Sequence, residues 1–426
     1  MKDIARRLQE VGPTISKLCE LSGTAGASVG VLHQNQVIYT AGFGYRDVAA
    51  KISPDENTVY HIASLSKAFT GAAVSILVDE KLLDWEQPVS KILPEFSHND
   101  ATVETQSNLL DMVAHRTCLA HKSALWLQDW TTLLLTPKDL FPTISYTELA
   151  FPFRSQWFYS NWGYCVAATM LERVTGQTWA EFLTQRIFAP LELKQTSLER
   201  YPKGDNVAKS YQAFPDGSPS PVEPSELVAG TIMQGALGVI SSVSDLLSFY
   251  KALIKAWKYE TNSNTTFTPG SPFKDVRTML KGHIDLESNS TFQQSYGVGW
   301  AISELPAPLG QIGTNPMFIP EMPIVGKGSK KQVVWHHNGS LVGFFSSVHI
   351  LPESDTAIVV LTNSMANNDC ADWIGQFLLE TVLDNTDKND YLILAQRTAA
   401  SYIAKWRDLK MELVEGRIPN TLCLPL

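Results

Sequence analysis

The stretch VYHIASLSKAFTGAAVSILVDEKLLDW, residues 59–85, constrains this chain more than any other part of it. It opens extended and β-branched (Thr58, Val59, Tyr60, Ile62) and breaks at Ala63-Ser64. Beyond the break, apolar residues recur at three and four (Phe69, Ala72, Ala73, Ile76, Leu77), which predicts a helix running to Asp84. Ser64 and Lys67 fall at the break, three apart, so both side chains share one face of the first helical turn. Backbone N–H groups at a helix start point free into a positive local potential. A lysine whose charge is disfavoured can take the proton of a serine placed there, which makes the pair a candidate nucleophile with its base. The plain alternative is an N-cap serine followed by a solvated lysine. The S-x-x-K spelling occurs three times, but Ser248/Lys251 lies inside an amphipathic helical run and Ser271/Lys274 in a proline-containing polar loop. Only Ser64 and Lys67 stand where a strand becomes a helix.

Strands predicted at both ends of the chain frame that switch. ASVGVLHQNQVIYTAGFGYRD, residues 27–47, alternates as a hairpin turning at Gln34-Asn35. VVWHHNG, FFSSVHILP and TAIVVLTN are strands after Gln332. Between them, residues 71–235 read as mostly helical, and SVSDLLSFYKALIKAW (242–257) continues that text. The opening MKDIARRLQEVGPTISKLCELSG reads as one amphipathic helix, and helices over 372–384 and 390–411 close the chain. The polar stretches 258–295 and 303–332 read as surface insertions. The expected fold is therefore α+β. An antiparallel sheet is built from both termini (1–70 and 236–426) and flanked by helices, with an inserted helical domain (71–235) and a cleft between the two.

Composition narrows the function. The 426 residues are 44% hydrophobic, enough for a large core, and the net charge of −9 leaves no basic stripe for nucleic acid. No run of apolar residues is long enough for a membrane span, and the first helix lacks the pattern of a signal peptide. Five scattered cysteines (Cys19, Cys118, Cys165, Cys370, Cys423) without a C-x-x-C pair favour reduced thiols, hence a cytoplasmic protein.

Two further places bear on Ser64. Tyr159-Ser160-Asn161 precedes a helix starting near Gly163 and offers a phenol for acid–base work and an amide. The alternative is one more packed aromatic and an N-cap asparagine. Trp335-His336-His337-Asn338-Gly339-Ser340 lies near a strand end, where Gly339 would let a substrate backbone approach. Adjacent strand residues point to opposite faces, so the two histidines do not suit one metal, and no metal or cofactor is expected.

Ser64-Leu65-Ser66-Lys67, Tyr159-Ser160-Asn161 and His337-Asn338-Gly339 together resemble, in order and spacing, the three motifs of the serine β-lactamase-like family. That family includes class C β-lactamases, DD-peptidases and related esterases and acyltransferases. The likeness extends to FGYRD, AHRTCL, APLEL, ALGVISSVSDL and YGVGW, and covers roughly residues 10 to 385. It implies a β-lactamase/transpeptidase-like fold in which Ser64 forms an acyl-enzyme while Lys67 and Tyr159 share the proton work. It further implies an oxyanion held by the N–H groups of Ser64 and Ser340, with Asn161 orienting Lys67 or a substrate amide. His337 would line the pocket and support Tyr159. Three positions depart from the pattern: His337 replaces the usual strand lysine, and Cys118 and Glu192 replace glycines. A neutral imidazole forfeits the lysine's pull on a substrate carboxylate, so β-lactam hydrolysis and DD-peptidase activity are not expected.

The expected function is a serine hydrolase or acyltransferase acting on an ester, thioester or amide of a small metabolite, with a place in secondary metabolism. Its partners would be a small-molecule acyl donor and, for transfer, an acceptor, with no nucleic acid and no membrane. The aromatics near Tyr159 and at Trp126, Trp130 and Trp335 suggest an apolar acyl group. Cyclisation or isomerisation by the same residues, and a retired binding protein of this fold, are the alternatives.

Overall fold

The computed structural model describes residues 2–123, 127–128, 131–200, 202, 204–287 and 290–416, so Trp126, Trp130 and Cys423 lie outside the described residues. The helices that matter here are α1 (Lys2–Gln9), α2 (Gly12–Ser22), α3 (Ser66–Asp79), α4 (Trp162–Thr175), α5 (Val243–Ser263), α6 (Cys370–Leu383) and α7 (Tyr391–Glu415). The eight strands of the main sheet are β1 (Gly26–His33), β2 (Gln36–Gly44), β3 (Ile284–Asp285), β4 (Gln294–Tyr296), β5 (Ala301–Leu305), β6 (Gln332–Leu341), β7 (Phe344–Leu351) and β8 (Thr356–Thr362). Their spatial order is β2-β1-β8-β7-β6-β5-β4-β3, antiparallel throughout, so both ends of the chain contribute.

The β1–β2 hairpin turns at Gln34 and Asn35, both with positive φ (49° and 63°), the backbone that matches the twist of the flanking strands. β1, β7 and β8 are buried along their whole length because helices cover both faces of the sheet. One apolar cluster joins α1, α2, α6 and α7 to one face. The other joins α5, α3 and α4 to the opposite face without a break between the sheet and the helical stretch. α5 lies so close to β1 that a Cβ on Gly30 would come within 2.4 Å of Val243.

Several boundaries differ from the sequence expectation. The N-terminal helix is two helices, because the chain turns at Val11 and Pro13 opens α2. α3 stops at Asp79, its last turn closing on Glu80, rather than reaching Asp84. The strand before Ser64 (Val59–His61) is not in the main sheet. It pairs with Ile240–Ser242 in a separate two-stranded ribbon. The two polar stretches are not mere surface insertions. The first completes α5 and supplies β3 and β4, and the second buries Leu305, Leu309, Asn315 and Val325. Among the described residues, no helix is long and apolar enough to cross a membrane.

Candidate active site

Ser64 owes its position to a strained turn. Ala63 sits at φ +49°, a left-handed conformation that costs an L-residue roughly 1–2 kcal/mol. A single 3₁₀ turn (Ala63–Leu65) then leads into α3. The turn is held against β7: Ser346 Oγ donates to the Ile62 carbonyl at 2.9 Å. Gly339 faces the same carbonyl so closely that a Cβ there would lie 2.6 Å from it and 2.2 Å from Ser346 Oγ. This is the physical need for glycine in the third motif. Val239 N–H donates to Ser66 Oγ at 3.0 Å and Thr70 Oγ1 donates to the Gly235 carbonyl at 2.7 Å, so α3 cannot rotate about its axis.

Lys67 is fully buried with no acidic partner among the described residues, and burial holds its pKa well below the ordinary lysine value. Its Nζ lies 3.0 Å from Ser64 Oγ, 2.7 Å from Asn161 Oδ1 and 3.3 Å from the Ala236 carbonyl. The last two can only accept. A neutral amine has two N–H bonds to give them, so its lone pair is left facing Ser64 Oγ–H. Tyr159 Oη stands 2.6 Å from the same Oγ. Burial raises the Tyr159 pKa above its ordinary value, so it stays a phenol, donating to Ser64 Oγ. Asn161 occupies the N-cap position of α4, but its side chain makes no capping bond. It serves Lys67 instead.

The family scan matches the model described as Beta-lactamase over residues 14–381. The chain belongs to the Beta-lactamase family. It is 26% identical over 317 residues to penicillin-binding protein 4* of Bacillus subtilis, covering 71% of this chain and 64% of that one. It is 24% identical over 353 residues to an unguisins hydrolase of Aspergillus campestris, covering 78% and 57%. This Beta-lactamase-family chain thus spans less than two thirds of the length of either relative. In fold it is similar to the octameric penicillin-binding protein homologue from Pyrococcus abyssi, with a TM-score of 0.69 and 22% identity over 88% of this chain and 78% of that one.

His337 lies where the family carries a strand lysine, and the structure corrects its expected place. It is buried behind Tyr159, ring centres 6.4 Å apart, rather than lining the cleft, and it makes no hydrogen bond to Tyr159. Its Nδ1–H donates to the Asn338 carbonyl (2.7 Å), which leaves Nε2 to accept Tyr296 Oη–H (2.9 Å). Burial pushes its pKa down to about 3, so it is neutral at any ordinary pH. His336 points the other way, to Ser303 and a stacked His349, as strand alternation requires.

The two missing glycines have one explanation. Cys118 and Glu192 hold φ +59° and +53°, so this member of the Beta-lactamase family keeps the left-handed backbone without the residue that prefers it. Cys118 Sγ donates to the Gln156 carbonyl at 3.3 Å, tying that turn to the Tyr159 loop.

A cleft of about 520 Å³ opens over the nucleophile. Ser64, Tyr159, Asn161, Gly339 and Ser340 line one end. The register of β5 against β6 ends at the pair Ala301–His336, so among the described residues no strand pairs with 337–341 of β6 on that side. Leu127, Leu237, Ile312, Met317, Leu341 and Met365 give the cleft an aliphatic wall. The aromatic lining expected of Trp335 is absent, since Trp335 is core and packs on Trp257 with ring centres 5.1 Å apart.

Sequence reasoning passed over His115, Tyr296 and the Ala236 carbonyl. His115 Nδ1 accepts the Ser160 N–H (3.2 Å), and its ring lies 4.4 Å from that of Tyr159 and 4.8 Å from that of Tyr296. Each lies in a stretch of family likeness (AHRTCL, YGVGW, ALGVIS), which was the signal available.

Proposed function

We propose that this chain is a serine hydrolase or acyltransferase that forms an acyl-enzyme on Ser64 from an ester, thioester or amide bearing an apolar acyl group. The observation that carries this is the placing of Ser64 Oγ between Lys67 Nζ (3.0 Å) and Tyr159 Oη (2.6 Å), with the other bonds of Lys67 going only to acceptors. Ser64 Oγ–H gives its proton to the lone pair of Lys67 as Oγ attacks the carbonyl carbon. Backbone N–H groups of Ser64 and Ser340 receive the oxyanion. As the acyl–leaving-group bond breaks, the proton returns from Lys67 through Tyr159 to the leaving atom. Water, or an acceptor alcohol or amine, then repeats the sequence in reverse. The aliphatic wall supports an apolar acyl group, and the relative named as a hydrolase supports hydrolysis as the default outcome.

The test is intact-protein mass after brief incubation with p-nitrophenyl butyrate and, separately, a fluorophosphonate, on wild type and Ser64→Ala. An adduct on wild type alone is expected. A folded wild type that takes up neither reagent would overturn the acyl-enzyme.

A further inference from the structure

The cleft that Ser64 lines is also lined by Asn338, Gly313, Thr314 and Asp369. Asp369 is the N-cap of α6, fully buried, and its Oδ1 accepts the Asp372 N–H at 3.0 Å. The backbone N–H of Thr314 also faces this carboxyl, yet Oδ2 is left without a hydrogen bond among the described residues. One turn on, Asp372 is buried too, but its oxygens accept from Asn338 Nδ2 (3.1 Å), Asn315 Nδ2 (3.1 Å) and Gln376 Nε2 (3.0 Å). Asn338 Nδ2 gives an N–H to Asp372, and its side-chain oxygen Oδ1 is an acceptor on the cleft lining.

This wall therefore offers two acceptor oxygens, Asp369 Oδ2 and Asn338 Oδ1, and no counter-charge among the described residues. No lysine or arginine appears among the described residues that line the cleft, and the one position where the family puts a strand cation holds the neutral His337. Burial, then the neighbouring Asp372, pushes the Asp369 carboxyl up from its ordinary value, which is the cost of an uncompensated buried acid. A cation arriving with the substrate would remove that cost.

We propose that the Asp369–Asn338 wall binds a primary ammonium group on the acyl chain of the substrate, so that the cleft selects amino-substituted acyl donors over neutral ones. The ammonium donates to Asp369 Oδ2 and to Asn338 Oδ1 while the aliphatic wall takes the methylenes between it and the scissile carbonyl. This rests on the acyl-enzyme reading for its turnover test but not for its binding test.

The experiment compares p-nitrophenyl 6-aminohexanoate and 8-aminooctanoate with the hexanoate and octanoate esters on wild type, Asp369→Asn and Asp369→Ser. Both replacements can still cap α6, and a melting curve checks that each folds. A charge-assisted hydrogen bond predicts a kcat/KM ratio favouring at least one amino ester by about tenfold or more in wild type, collapsing in both variants. A ratio near one in wild type, or one that survives both substitutions, overturns the proposal. Calorimetric binding of 6-aminohexanamide and 8-aminooctanamide, against hexanamide and octanamide, needs no chemistry at Ser64. If neither ester class acylates the protein, the acyl-enzyme reading has failed. The proposal then stands on an amine preference that the Asp369 variants lose, and falls if the amides bind alike.

Discussion

Lys67 beneath Ser64 and Asp369 on the lining of the same cleft are both fully buried, and among the described residues neither has a partner of opposite charge. They differ in what surrounds them. Lys67 Nζ bonds Ser64, Asn161 and Ala236, two of which can only accept, and the Tyr159 and Tyr164 rings lie 4.7 and 5.4 Å from it. Asp369 shares its wall with another acid and keeps one oxygen unbonded. In both, burial disfavours the charged form. At Lys67 the neutral form is a base aimed at one hydroxyl, complete before any ligand arrives. At Asp369 the arrangement is left open, and what would complete it comes from outside. A finished polar cluster marks chemistry the chain performs itself, and an unfinished one beside a cleft marks what it recognises.

The largest test of this contrast is Lys67→Met. Loss of a general base predicts a fall of about 10³-fold in the acylation rate. In wild type, acylation rises with pH until the depressed lysine pKa is passed and then levels, and the variant loses that rise. A variant that keeps both rate and profile would mean that Tyr159 alone handles the proton.

The two groups also predict opposite pH dependence of stability. The folded pKa of Lys67 lies below its unfolded value of 10.5, so the unfolded chain binds the extra proton between them and stability rises with pH across that window. The folded pKa of Asp369 lies above 3.8, so the folded chain holds the extra proton and stability falls as pH rises through that window. Asp369→Asn is expected to melt higher than wild type near pH 7, with the gap closing below pH 4. Thermal denaturation from pH 3 to 8 reads this directly, and a gap that widens in acid would contradict it. Met at position 67 should stabilise the fold near neutral pH for the mirror-image reason.

The smallest effect expected lies away from the cleft. Glu192→Gly relieves a left-handed φ but adds freedom to the unfolded chain, so a net gain of roughly 0.5 kcal/mol is predicted. A loss would mean that the Glu192 side chain holds its turn by contacts that outweigh the strain.

The parts of this molecule legible in its sequence are those set by local geometry. Ser64 and Lys67 share a face because residues three apart on a helix must, and His336 and His337 diverge because a strand alternates. The β1–β2 hairpin was legible because Gln34-Asn35 tolerates positive φ. The single N-terminal helix failed at Val11, since amphipathic spacing continued through a break that Pro13 made. The strand before Ser64 was legible as a strand, but its pairing with Ile240–Ser242 depends on a segment about 180 residues away, which propensity does not report.

By itself, then, the sequence determined where a nucleophile and base could stand and which strands would form one sheet from both ends. Only the tertiary structure decided that Asn161 holds Lys67 instead of capping α4, that His337 turns to Tyr296, and that Trp335 belongs to the core. It alone brought Asp369 to the cleft that begins at Ser64. Each of these rests on contacts between residues far apart in the chain, and on burial, which shifts the charge of a group only once other segments have closed over it.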